Sequence, residues 1–226
     1  MPAAVLFDLY GTLVPAGTNH ARDAVARKVA SVLGVDNESF VELYRSTFDL
    51  RTRGLLGDLA DTYVELAGRL GGSPNPTQLE HAMAIRLEFA RELLEPRLAE
   101  SVLFGLQSAG YQIGLVTDCS IETPLSWHSS WLHHYFDVVA FSCQLGFRKP
   151  DPRIYLSVTT EMRVSPEDCI FVGDGGSNEL SGARSLGMRA IRVDEFSSCK
   201  ADRNDEEVDW DGDTIETLGD LFKEFI

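Results

Sequence analysis

Two rhythms of apolar positions divide the chain. Val5-Leu6-Phe7 is an unbroken apolar run that ends in Asp8, and Leu9-Tyr10-Gly11-Thr12 follows at once. A β-capable run stopped by a carboxylate reads as a buried parallel strand that delivers a reactive group to the edge of a sheet. From residue 18 to residue 94 the period is helical. Val25, Val29, Val32 and Leu33 share one face before Gly34, and Phe40, Leu43, Tyr44 and Phe48 repeat the stripe ahead of Arg51, Arg53 and Gly54. Leu59, Tyr63, Leu66 and Leu70 make a third stripe, closed by Gly71-Gly72-Ser73-Pro74. Thr77-x-x-Glu80 reads as a capping box that opens a fourth helix through Met83, Leu87, Ala90 and Leu94. A connection of this length is not a loop in a compact domain. The pattern predicts a four-helix bundle over residues 15–95, inserted after the first strand of a domain made of residues 1–14 and 96–226.

From Pro96 onward helical and extended patterns alternate. Leu98, Val102, Leu103 and Leu106 form a helical stripe ended by Gly110, and Gln112–Val116 is a strand that ends at Thr117-Asp118. A helix is predicted over Ile121–Leu132, with Trp127 and Trp131 as packing residues, and a strand over Val138–Phe141. Asp151-Pro152 supplies a capping carboxylate and a first-turn proline to a further helix. Cys169–Val172 is a strand ending in Gly173-Asp174-Gly175-Gly176, a helix follows from Asn178 to Leu186, and Ala190–Val193 is the fifth strand. Asp194–Asp213 is acidic and poor in apolar residues, which predicts a surface connection, and Leu218, Leu221, Phe222 and Phe225 predict a last amphipathic helix. Such alternation demands a parallel sheet with helices on both faces, a Rossmann-like α/β fold.

Composition narrows the partners. The 226 residues carry 20 Lys and Arg against 35 Asp and Glu, a formal charge of −15, which argues against nucleic acid and anionic membranes as partners. An anionic small-molecule substrate stays compatible, because a few local cations or a metal reverse the field of one pocket. The start of the chain runs directly into the first strand, and no apolar run approaches the roughly 20 residues of a membrane helix. Cys119, Cys143, Cys169 and Cys199 are scattered, which reads as free thiols, and the expected location is cytoplasmic.

The strand ends carry the chemistry. Asp8, Thr117 and Asp174 close three strands, and Lys149 lies in the loop after another. Two carboxylates can hold Mg²⁺ together with waters and phosphate. An ammonium neutralises a carboxylate nucleophile and a transferring group. Thr117 and the backbone amides after Asp8, at Gly11 and Thr12, can bond phosphoryl oxygens. A carboxylate nucleophile that forms an acyl phosphate is established enzyme chemistry.

On these residues the chain resembles the haloacid dehalogenase-like hydrolases over essentially its whole length. The motifs are Asp8-Leu9-Tyr10-Gly11-Thr12, the strand ending in Thr117, Lys149-Pro150-Asp151-Pro152, and Gly173-Asp174-Gly175-Gly176-Ser177-Asn178-Glu179. The resemblance implies a Rossmann-like core with an inserted helical cap. It implies Asp8 as nucleophile and metal ligand, the Tyr10 carbonyl and Asp174 as further metal ligands, and Thr117 and Lys149 on the phosphoryl group. Glu179 stands where many members have aspartate, and Asp118 replaces a common asparagine in the substrate-binding stretch.

Tyr10 divides the reading. Phosphatases of this family usually carry a second aspartate there as general acid and base, and a phenol of pKa about 10 replaces it poorly near neutrality. Tyrosine resembles the pattern of the 2-haloacid dehalogenases, as do Leu43-Tyr44-Arg45, with Arg45 as a substrate-binding residue, and Tyr155. Asp174 belongs instead to the metal-holding pattern of the phosphatases. The expectation is a Mg²⁺-dependent phosphatase of a small phosphorylated metabolite, with two alternatives. One is a dehalogenase-like hydrolase using an ester of Asp8, and the other a catalytically weakened member that binds a ligand or a protein.

Overall fold

The computed structural model describes residues 3–196, 207 and 209–224. Six parallel strands form one sheet: β1 (Ala4–Phe7), β2 (Gln112–Thr117), β3 (Val138–Phe141), β4 (Cys169–Gly173), β5 (Arg189–Val193) and β6 (Asp213–Ile215). Their order is β3-β2-β1-β4-β5-β6. Side chains of a strand point alternately to its two faces, and the apolar runs are needed because both faces are covered. Val5 and Phe7 of β1 join one core with Ile113, Leu115, Ile170 and Val172, while Ala4 and Leu6 join the other with Val116 and Phe171. Helix α6 (Glu100–Ser108) closes the first face through Val102, Leu103 and Leu106. Helices α9 (Pro152–Met162) and α10 (Glu179–Ser185) close the second through Ile154, Tyr155, Val158, Leu180 and Ala183.

Between β1 and α6 lie five helices, one more than the four-helix pattern predicts: α1 (Asn19–Leu33), α2 (Asn37–Ser46), α3 (Phe48–Thr52), α4 (Leu59–Arg69) and α5 (Pro76–Leu94). They bury a cluster of their own, with Val29, Leu33, Phe40, Tyr63, Leu66 and Ala82 at its centre. The extra break falls at Thr47, whose hydroxyl donates to the Leu43 and Tyr44 carbonyls at 2.7 and 3.2 Å and competes with helix continuation. The capping box of α5 is Asn75 with Gln78 rather than Thr77 with Glu80, because Pro76 occupies the first helical position and moves the cap to the residue before it. Gly54, at φ +66°, seats this layer on the core: a Cβ there would lie 2.0 Å from the carbonyl oxygen of Cys143 in the short helix α8 (Ser142–Leu145).

Four other expectations need correction. The helix over Ile121–Leu132 is two pieces, α7 (Glu122–Trp127) and a 3-10 turn at Trp131–Tyr135. Ser129 and Ser130 donate to the carbonyls of Ser126 and Trp127 and end the first piece. Leu98 precedes α6 and is exposed, and the last helix is a 3-10 segment, Leu218–Glu224, with Phe225 outside the described residues. The acidic stretch 194–213 runs into the unpredicted edge strand β6, and most of it also lies outside the described residues. Cys119, Cys143 and Cys169 are free and buried, while Cys199 is not among the described residues. Among the described residues no helix is long and apolar enough to cross a membrane.

Candidate active site

In an open α/β sheet the ligand crevice lies beyond the carboxyl ends of the strands, where the strand order reverses. Here that point is the pair β1 and β4, and the residues just past these strands are Asp8 and Asp174. Asp8 is buried and both its oxygens are held: the Lys149 ammonium donates to Oδ1 at 2.5 Å, and the Thr12 hydroxyl to Oδ2 at 3.0 Å. The same ammonium donates to Glu179 Oε2, and Glu179 Oε1 accepts from the Gly175 N–H at 3.0 Å. Asp174 Oδ1 accepts from the Gly176 N–H at 3.1 Å.

Local sequence produces this packing. Gly175, Ser177 and Asn178 have positive φ, so the chain doubles back from β4 into α10 and brings Glu179 beneath the strand end. Gly173 leaves the room: a Cβ there would lie 2.2 Å from Glu179 Oε1. Tyr155, fully buried, donates to the Glu179 carbonyl at 2.8 Å, so it supports the site from beneath and does not reach the ligand space.

The charges oppose burial and one another. Burial raises the Asp8 carboxyl above its ordinary pKa, Lys149 works against that, and Asp174 adds to it. Burial and then Asp8 hold Glu179 well above the usual carboxylate range. Burial works to lower Lys149, but Asp8 and Glu179 outweigh it and keep the ammonium protonated.

Carboxylate oxygens of Asp8, Asp174 and Glu179 lie within 4.8 Å of one another. A hard, oxygen-only donor set of this size suits Mg²⁺ better than a thiophilic or imidazole-seeking ion. The Thr117 hydroxyl, at the end of β2, is buried without a hydrogen-bond partner among the described residues. An orphaned buried donor at a strand end is unfavourable unless a ligand oxygen completes it.

The other sequence-derived candidates take different places around the site. Asp118 accepts from Arg148 Nε at 3.1 Å and from the Lys149 N–H at 2.9 Å, so it fixes the Lys149 loop while lining the ligand space. Gly11 and Thr12 do not face a substrate: the Gly11 N–H donates to the Val14 carbonyl at 2.7 Å, and Thr12 is fully buried against Asp8. Arg45 is exposed, lines the same cavity as Asp8 and is paired with Asp23, Nε to Oδ1 at 3.0 Å. The Tyr10 hydroxyl shares a 3.1 Å hydrogen bond with Thr123 Oγ1, and burial raises it above its ordinary pKa.

Two connected cavities lie between the helical layer and the sheet edge. The outer, about 680 Å³, holds Asp8, Lys149, Asp174 and Glu179. The inner, about 210 Å³, is walled by Phe48, Phe89, Leu93 and Tyr44 together with Arg51, Arg86 and Glu122. The sequence alone assigns no role to Arg51, Arg86 or Glu122. The structure buries Arg51, stacks it 3.6 Å above the Tyr44 ring and joins it to Ser120 Oγ at 2.7 Å. Arg86 meets Glu122 with Nε and Nη2 at 3.0 and 2.5 Å from Oε1. The available signal was weak: a charged residue at a helical position whose neighbours are apolar.

A family model described as haloacid dehalogenase-like hydrolase matches residues 2–187. The glyceraldehyde 3-phosphate phosphatase of Methanopyrus kandleri is 26% identical over 99% of this chain and 98% of its own. A HAD phosphatase from Thermococcus onnurineus has a similar structure, with a TM-score of 0.69 at 24% identity over 98% of this chain and 97% of its own. The L-2-haloacid dehalogenase of Xanthobacter autotrophicus gives 0.64 at 21% identity over 100% and 98%. These two likenesses establish the fold, and they do not separate the two chemistries.

Proposed function

The chain belongs to the haloacid dehalogenase-like hydrolase family, and from that premise we propose that it is a Mg²⁺-dependent phosphatase of a small phosphorylated metabolite, acting through an aspartyl phosphate on Asp8. The observation that carries this reading is Asp174 beside Asp8, with Glu179 completing three carboxylates within 4.8 Å. Carbon–halogen displacement has no use for a second and third carboxylate next to the nucleophile, whose repulsion raises its pKa. Arg45, the residue that a haloalkanoate would require, is paired with Asp23. The full-length Methanopyrus relative named as a phosphatase points the same way.

Asp8 and Asp174, with the Tyr10 carbonyl, are the residues that would hold Mg²⁺. When bound, the ion supplies positive charge that offsets the carboxylates and the phosphoryl oxygens. The chain's own groups do the rest. Lys149 and Thr12 fix both oxygens of Asp8, so the nucleophile is oriented before substrate arrives. The Thr117 hydroxyl donates to a phosphoryl oxygen, and the Lys149 ammonium stabilises the charge that moves onto the transferring group. Helices α1–α5 act as a cap that excludes water and selects the remainder of the substrate, the inner cavity being the space for it.

The test is phosphate release from a panel of phosphorylated metabolites with and without millimolar Mg²⁺, alongside binding of BeF₃⁻ as a phosphoryl mimic. Mg²⁺-dependent release, abolished in Asp8→Asn, supports the reading. No release and no Mg²⁺-dependent BeF₃⁻ binding, with halide freed from an L-2-haloalkanoate instead, refutes it.

A further inference from the structure

The side of the site that faces the departing group is equipped to hold an anion, not to protonate one. In-line transfer to Asp8 sets the leaving oxygen opposite that carboxylate. In this molecule that direction is toward the helical layer, where the two cavities share Tyr10, Asn19, Arg22, Arg45, Phe48 and Asp118. Apart from Asp8, Asp174 and Glu179, the carboxylates lining these cavities are Asp23, Asp118 and Glu122. Each is clamped by a guanidinium: Asp23 by Arg45, Asp118 by Arg148 at 3.1 Å, and Glu122 by Arg86 at 3.0 Å and 2.5 Å. Burial works to raise Glu122, and Arg86 and Arg51 outweigh it and lower its pKa. A carboxylate engaged by a guanidinium in this way serves as an acceptor. The Tyr10 hydroxyl is tied to Thr123 on the wall, and no histidine lines either cavity among the described residues.

The positive charge is in excess. Arg22, Arg45, Arg51 and Arg86 line the inner cavity against Asp23, Asp118 and Glu122. The surplus is concentrated at Arg51, which is 7% exposed, donates to the neutral Ser120 Oγ and Tyr44 carbonyl, and has Nε buried without a partner. A buried guanidinium with an unpaired donor and no carboxylate at ion-pair distance is unfavourable until an anion completes it.

Resting on the phosphatase reading above, we infer that the leaving group departs as an anion, so that the substrate is a phosphoric anhydride, with an acyl phosphate as the simplest case, rather than an alkyl phosphate ester. The step balances without an acid. An Asp8 oxygen bonds to phosphorus, the bond from phosphorus to the bridging oxygen breaks, and its electron pair leaves with the carboxylate or phosphate released. Water then attacks phosphorus, the pair of the breaking bond returns to the Asp8 carboxylate, and the protons of that water pass to the released phosphate and to solvent. Arg51, which has no ion pair among the described residues, receives the departing anion.

The experiment compares kcat/KM of the wild-type protein with Mg²⁺ on acetyl phosphate, pyrophosphate, phenyl phosphate and glycerol 3-phosphate. The expected order puts the anhydrides first, by about 10²–10⁴-fold over the alkyl ester, the advantage that a general acid would otherwise erase. Phenyl phosphate, whose leaving phenol has a pKa of about 10, falls between. Acetyl phosphate and pyrophosphate together distinguish a carboxylate from a phosphate leaving group. Tyr10→Asp, which adds an acid on the leaving side, is expected to narrow the gap at least tenfold by raising the alkyl rate. Should that variant not fold, the wild-type series still decides. Glycerol 3-phosphate turned over within threefold of the anhydrides overturns the inference and leaves the phosphatase reading standing. No phosphate from any of the four, with Mg²⁺-dependent BeF₃⁻ binding kept, overturns the inference alone; loss of that binding as well overturns the phosphatase reading with it.

Discussion

Lys149 is the counter-charge on which the sheet edge depends, and Lys149→Met shows how much. The variant keeps most of the apolar stem but removes the ammonium between Asp8 and Glu179. It leaves Asp8, Asp174 and Glu179 within 4.8 Å of one another. At an effective dielectric constant of 20, two unit charges at that distance repel by about 3.5 kcal/mol. Removing one partner of a buried ion pair typically costs about 3–5 kcal/mol. For a chain of this length that is a fall in Tm of about 6–20 °C. The sign of the pH dependence follows from the same residues. Burial already raises Asp8 and Glu179 in the folded state, and losing Lys149 raises them further. The folded state then binds more protons than the unfolded one, so stability falls as pH rises through that window and recovers as pH is lowered. The assay is thermal unfolding of both proteins from acid to neutral pH, in EDTA and then in Mg²⁺. The deficit should be largest at neutral pH in EDTA and shrink with acid or with metal. The double variant Lys149→Met/Glu179→Gln should be less damaged than the two single variants combined, because the stranded charge is gone. A variant within 2 °C of wild type across the whole range would refute the reasoning.

Three further predictions test other parts of the arrangement. Thr117→Val removes a buried hydroxyl that no protein group satisfies, so stability should hold to within about 1 kcal/mol while kcat/KM falls about 10²–10³-fold; equal losses in Tm and activity would assign Thr117 a structural part only. Gly173→Ala puts a methyl 2.2 Å from Glu179 Oε1, and urea unfolding should report a cost of about 1–3 kcal/mol together with lost activity, since Glu179 must move off Lys149. Burial pushes the Cys169 thiol up to about 11, so about 10⁻³ of it is thiolate at pH 8, and peptide mapping after brief iodoacetamide treatment of the native protein should find it unmodified.

What the sequence made legible were the groups whose chemistry is tied to a strand end. Asp8, Thr117 and Asp174 each close an apolar run, so period and punctuation alone put them on one edge of a sheet. Lys149 was legible through its Pro-Asp-Pro surroundings, and the structure adds that its ammonium reaches Asp8 and Glu179 at once. The helical layer was legible as helices but not as a surface. Nothing in the spacing of Arg86 says that α5 sets it against Glu122, 36 residues later and in another layer. Arg51 and Arg53 are equivalent in the sequence, yet one turn of α3 buries the first over Tyr44 while the second pairs with Asp49 at the surface. Local hydroxyl-to-carbonyl bonds, at Thr47 and at Ser129 and Ser130, broke two helices that apolar periodicity ran together. The difference has a physical origin. Strand ends are fixed by backbone pairing, which leaves a period in the sequence, whereas the lining of a cavity between two layers is fixed by long side chains whose partners lie far away along the chain. Specificity here rests on the second kind of residue. That is why Asp8 could be singled out from the strand it ends and the motifs that follow, while the arginines that argue for an anionic leaving group needed the fold.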